Sequence, residues 1–185
     1  MTDYCSYEDF GRDFFRIAVT EERVLAAINV LAGEPIDFGP IGVGPGRVAK
    51  ASAKGRLRPA SIDRIDGEHV CFRVVLPVDL RLTVDLQLDT QRFDTHLDVP
   101  LELTARARSG CTVFIEALAP RAEQIHVQLK ADGLRASLLQ RAAGIDDELR
   151  RFVASYVTRE LAKPAVQAAR TIDVARAIDS SWRPA

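Results

Sequence analysis

Ten successive even positions, Val70, Phe72, Val74, Leu76, Val78, Leu80, Leu82, Val84, Leu86 and Leu88, are apolar without a miss, and Arg73, Asp79, Arg81 and Asp85 are among the residues between them. Successive side chains of an extended chain point to opposite faces, so a period of two held this long predicts a half-buried strand. At about 3.3 Å per residue, about 20 residues would span roughly 65 Å, far beyond the usual strand of about 5–6 residues. Pro77, which has no N–H for a ladder, leaves two outcomes open. It divides or bends the strand, or the sheet is unusually long and curved.

After Asp89-Thr90-Gln91 the phase changes. Phe93, Leu97, Val99, Leu101, Leu103 and Ala105 are apolar, with Arg92, Asp94, His96, Asp98, Glu102 and Arg106 opposite, which predicts an equally long return strand. Shorter strands are expected over Thr112–Leu118, after a turn at Ser109-Gly110, and around Ile125–Ala131 before Asp132-Gly133. Upstream, 47–58 reads as a strand with Ala49, Ala51, Ala53, Gly55 and Leu57 on one face and Lys50, Ser52, Lys54, Arg56 and Arg58 on the other. Ile62–Gly67 reads as a turn, with Asp66-Gly67 as a hairpin signal.

Helices are expected at both ends. Phe15, Ile17 and Val19 alternate like a strand, and Thr20 then stands before Glu21-Glu22 as an N-cap would, with Val24, Leu25, Ile28 and Leu31 at helical spacing up to Gly33-Glu34-Pro35. Near the C-terminus a short helix is expected to end at Gly144. A stronger one opens at Asp146-Asp147-Glu148, carries Leu149, Phe152, Val153, Tyr156, Val157 and Leu161 on one face, and ends or kinks at Pro164. A further helix is expected within Ala165–Ile178. The fold class is therefore α+β: a long, curved antiparallel sheet wrapped on an N-terminal helix and C-terminal amphipathic helices. One domain is expected over 1–185, with a core at about 14–163 and a helical extension and tail at 164–185.

The chemistry is spare. The Gly-Pro passage Phe38–Gly46 lacks Gly-Lys-Ser/Thr and GxGxxG spacing, and Pro45 removes a donor, so it reads as a turn-rich connection and not as a phosphate cradle. No GxSxG elbow or Cys-His pairing suggests a nucleophile. His69, His96 and His126 all fall on the polar phase and read as surface residues, and Cys5, Cys71 and Cys111 as reduced, buried or inert thiols. No cofactor and no metal are expected. With 25 Lys+Arg against 26 Asp+Glu, no global field draws the chain to nucleic acid, which is not expected as a partner. The polar, acidic N-terminus and the absence of any long apolar run predict a cytoplasmic chain that neither is exported nor spans a membrane.

A strand leading into Val19-Thr-Glu-Glu-Arg-Val-Leu25, the phrase Phe38-Gly-Pro-Ile-Gly-Val-Gly-Pro45, long alternating strands and a closing amphipathic helix together resemble the tubular lipid-binding (TULIP) superfamily over about residues 14–163. Members curl the sheet around a helix and hold acyl chains inside. The resemblance implies an apolar groove formed by Val70, Phe72, Val74, Leu76, Val78, Leu80, Leu82, Val84 and Leu86, with Leu97, Val99, Leu101 and Leu103 from the return strand. Two outcomes stay open for the stripe: helices at 20–33 and 146–163 cover it as a sealed core, as they would if Pro77 splits the strand, or the helix at 146–163, roughly 27 Å long at about 1.5 Å per residue, covers less than half of the extended strand and the remainder needs a ligand, a membrane or a second subunit.

The leading expectation is thus non-enzymatic binding or carriage of a lipid or other hydrophobic small molecule. The basic stripe Lys50, Lys54, Arg56 and Arg58 could contact anionic headgroups in a transient membrane encounter, or simply guard the strand against edge-to-edge aggregation. The alternative is a structural or protein-interaction module with a sealed core, forming a homodimer or docking a partner. An enzyme of helix-grip architecture acting on a hydrophobic substrate is the third reading.

Overall fold

The computed structural model describes residues 3–30, 32–33, 35–43, 49–85, 90–131 and 136–181. Leu86, Leu88, the turn at Asp132-Gly133 and the end of the Gly-Pro passage lie outside them. Two helices come first, α1 (Tyr7–Ala18) and α2 (Glu21–Asn29). Seven strands follow: β1 (Pro35–Val43), β2 (Ala49–Leu57), β3 (Ser61–Ile65), β4 (Cys71–Asp85), β5 (Thr90–Arg108), β6 (Thr112–Leu118) and β7 (His126–Ala131). The chain then runs through α3 (Ala136–Ala162), α4 (Pro164–Ala169), β8 (Thr171–Asp173) and α5 (Val174–Ser181). All strands join one curled antiparallel sheet with helices against it, an α+β arrangement compatible with a half-barrel.

From Cys71 to Asp85 the long alternating segment is a single strand, and Pro77 does not interrupt it. β4 pairs with β5 over its whole length, from Cys71↔Thr104 to Asp85↔Thr90. Its other edge is shared. β2 covers Val78–Asp85 and β3 covers Cys71–Val75. The free edge of β5 is shared in the same way, by β7 over Phe93–Asp98 and by β6 over Glu102–Arg108. Pro77 and Pro100 sit at these two changeovers. Arg58 N donates to Pro77 O at 2.8 Å, so the polar edge of Pro77 faces β2 and β3, and its missing donor falls where one partner ends and the next begins. Ala105 N donates to Val70 O at 2.9 Å, so Ala105 faces β4. Pro100, an odd number of residues away, therefore faces the gap between β7 and β6.

Two half-sheets thus share the β4–β5 hairpin. The inward face of the first, β1-β2-β4-β5-β7, packs on α3 through Ile145, Leu149, Phe152 and Val153. The second, β3-β4-β5-β6-β8, packs on Phe14, Phe15, Ala18 and Val19, on Val24 and Ile28, and on Leu161. Leu76 and Val157 belong to both clusters. β2 and β4 approach closely at Gly55, opposite Leu80: a Cβ there would run into the Asp79 carbonyl oxygen and stand 2.7 Å from Leu80 Cδ2.

Several expectations need correction. Residues 15–19 are not a strand: Ser6 caps α1, its Oγ accepting from Asp9 N at 3.0 Å, and Arg12 ties Glu8 and Asp9 in the first turn. The helical spacing of Phe10, Phe14 and Ile17 prevails over a short alternation. Thr20 does cap α2, but the helix stops at Asn29, and Gly33 takes φ +88° in the following turn. The first half of the Gly-Pro passage is strand β1, where Gly39, at φ +106° in a register shift, leaves room for Ala51 O and Ser52 of β2. Residues 61–65 form a strand before the Asp66-Gly67 turn. α3 passes through Gly144 without a break, since an interior glycine costs only about 1 kcal/mol and α3 is anchored on both clusters. Thr171–Asp173, expected as helix, pairs with Thr112–Phe114 as β8.

Candidate functional site

The inward face carries nearly all the sequence-predicted groove residues. Val70, Phe72, Val74, Val78, Leu80, Leu82, Val84, Leu97, Val99, Leu101 and Leu103 are each no more than 8% exposed, and Leu76 is half-buried. They do not form one open trough. Val78–Val84 and Leu97 lie under α3, while Val70–Val74, Leu101 and Leu103 lie under α1, α2 and the end of α3. Over the described strand, helices from both ends of the chain cover the stripe from two sides, which is the covered outcome of the two that the sequence left open.

Closure differs around the curl. β2 presents only Ala49, Ala51, Ala53 and Gly55 ahead of Leu57, and small side chains leave depth that α3 fills. On the β1 side the curl is shut by side chains and not by backbone pairing. Phe38 stacks on Phe152 with centroids 4.5 Å apart, and Phe152 on Tyr156 at 6.3 Å. Tyr156 is 38% exposed at this seam, and burial, with Glu160 nearby, raises its hydroxyl pKa.

One inward residue was missed from sequence. Thr95 lies between Phe93 and Leu97 on the inward phase of β5, opposite Leu80 of β4 and Leu129 of β7. At 3% exposure it is the one polar residue among the described residues that is fully buried, and its Oγ1 has no hydrogen-bond partner. Its phase alone could have marked it, since a hydroxyl in an otherwise apolar row interrupts the pattern.

The outward face carries a different feature. Because the row Gly55, Leu80, Thr95 turns its side chains inward, a trough of about 880 Å³ remains on the outer side between two charged cross-strand rows. One row runs Lys54, Arg81, Asp94, Lys130 and the other Arg56, Asp79, His96, Gln128. The predicted basic stripe is split. Lys54 and Arg56 line the trough, Arg58 is bound to Asp79 at 3.3 Å, and Lys50 stands opposite Asp85 at its far end. His96 is half-buried, with Nδ1 2.8 Å from Asp79 and Nε2 3.3 Å from Asp98. The His96 hydrogen bond, helped by Arg58, holds the Asp79 carboxyl below its ordinary pKa. Among the described residues no group of His, Cys, Asp and Glu is placed to hold a metal. All three thiols are free, and Cys5 and Cys111 are exposed where burial was an option. No helix among the described residues is long and apolar enough to cross a membrane.

No protein-family model matches the chain, and neither does any curated protein or any solved structure.

Proposed function

We propose that the chain binds a lipid-like or other hydrophobic small molecule between the inward face of the β1-β2-β4-β5-β7 half-sheet and α3, without catalysing a reaction. The observation that carries this reading is the Thr95 hydroxyl, buried and unpartnered in an apolar interior that is closed by a helix and an aromatic seam. A buried hydroxyl without a bond costs about 1–3 kcal/mol, and a cargo's polar atom would satisfy it. An apolar chain lying along Val78, Leu80, Leu82 and Leu97 would gain about 0.8 kcal/mol per methylene buried. Entry lies between β1 and α3, where parting Phe38 from Phe152 breaks no backbone ladder. A curled sheet closed on a helix is also what the TULIP resemblance implies, and the reading extends that likeness to cargo.

Native mass spectrometry of gently purified protein, repeated after denaturation, tests the proposal. A mass released on denaturation identifies the cargo. A clean apo mass, together with no uptake of a fluorescent fatty acid, overturns the reading. A second reading, an interaction module, draws on α1, where Tyr7, Phe10 and Ile17 are 97%, 62% and 71% exposed on one apolar face. A cargo-free homodimer in the same spectrum favours it.

A further inference from the structure

We infer that the outward trough binds a phosphate group at its β2–β4 end, a site on the opposite face of the sheet from the proposed cargo. The register sets Lys54 directly across from Arg81, and Arg56 follows Lys54 two residues along the same face. Like charges directly opposite one another in a sheet are unfavourable, and three cations on neighbouring positions more so. Carboxylates engage two of the three cations, each from outside the cluster, and leave the third. Lys54 Nζ reaches outward to Asp37 on β1 at 3.3 Å, and Arg81 Nε reaches the other way to Asp94 on β5 at 3.2 Å. Asp79, across from Arg56, is engaged by Arg58 and His96. Among the described residues no ion pair joins a carboxylate to Arg56, or to Lys130 at the far end of the trough.

A tetrahedral phosphate suits this arrangement. It offers several acceptor oxygens to donors arriving from different directions, and a guanidinium can hold two of them at once. The cations come from the middle of paired strands, so their backbone positions are fixed before binding. Their side chains remain in water, as the 79% and 72% side-chain exposures of Lys54 and Arg81 show, which makes the site a surface clamp open to a soluble phosphate or to a headgroup.

The test titrates inorganic phosphate and pyrophosphate into the full chain and follows backbone amides and arginine Nε–H groups by NMR, with chloride at matched ionic strength as control. Saturable shifts are expected at Arg56, Arg81 and the intervening Gly55 and Leu80. Arg56→Gln with Arg81→Gln is expected to weaken binding by roughly tenfold or more, the loss that follows deletion of a charge-assisted hydrogen bond, with the unfolding midpoint unchanged. Shifts that do not saturate, that chloride reproduces, or that survive the double substitution overturn the inference. Sedimentation with phosphatidylcholine vesicles, with and without phosphatidic acid, then assigns the source. Binding to acidic vesicles that the double substitution abolishes names a headgroup, and phosphate binding without vesicle binding names a soluble phosphate compound. Lys50→Gln, outside the trough, is expected to leave all of these readouts unchanged.

Discussion

Thr95→Val isolates what the interior holds. The substitution keeps the shape and branching of the side chain and replaces the hydroxyl with a methyl. At 3% exposure the new methyl is fully buried, opposite Leu80 and Leu129. In the cargo-free chain the hydroxyl is unpaired, so its removal recovers an unsatisfied-group penalty of about 1–3 kcal/mol. Strand preference contributes little, since both residues are β-branched. For a chain of this size that corresponds to a rise in Tm of roughly 2–12 °C. The assay is urea unfolding of delipidated protein, comparing midpoint and slope; an unchanged slope attributes the shift to stability and not to a change in compactness. If cargo binds as proposed and bonds the hydroxyl, the gain shrinks or reverses in loaded protein, because the variant forfeits that bond. Destabilisation of the delipidated variant would refute the reasoning, since it would mean that the hydroxyl already has a partner inside the fold.

Two further perturbations probe the frame. Gly55→Ala puts a Cβ into the Asp79 carbonyl and the Leu80 side chain, and because the first obstacle is backbone, β2 must move off β4. A loss of about 1–3 kcal/mol or more is expected in the same unfolding assay, and a change within about 0.5 kcal/mol would show that the β2–β4 pairing does not depend on that close approach. Asp146 has its pKa raised by burial, against the opposing pull of Arg150 at 2.8 Å. A raised folded-state value means that this carboxyl favours the fold below its unfolded pKa and loses that contribution as pH rises through the folded one. Asp146→Asn should therefore gain stability relative to the parent at neutral pH, and the gain should fade as pH falls through the raised folded-state pKa and be gone below about pH 4; a difference that grows on acidification would contradict the assignment.

Alternation made β4 and β5 legible because a period of two is a local property that every residue reports. The buried face of α3 was legible for the same reason, with Leu149, Phe152, Val153, Val157 and Leu161 recurring at helical spacing. Pairing was not legible. Nothing near Pro77 in sequence says that Leu57 and Ser61 stop and start on either side of it, so a proline that looked like a break proved to be tolerated. β1 and β8 were missed because Gly39, Pro40 and a three-residue segment have weak intrinsic preferences, and only partners already in place, β2 and β6, make them strands. The trough depends on register across four strands. The cations of β2 could be read from sequence, but not that Arg81 and Lys130 would share a row with Lys54.

The two prolines bear on how the molecule gives under load. At the level of Pro77 and Pro100, both outer ladders change hands. The elements that run through both half-sheets are β4, β5 and the α3 strut, which touches both cores through Val157. Any rotation of one half against the other would fall as torsion on a two-stranded ribbon and leave each set of outer ladders whole. On the proposed cargo-binding reading, a joint of this kind would fit contents of different bulk by a change of angle, with the strands intact.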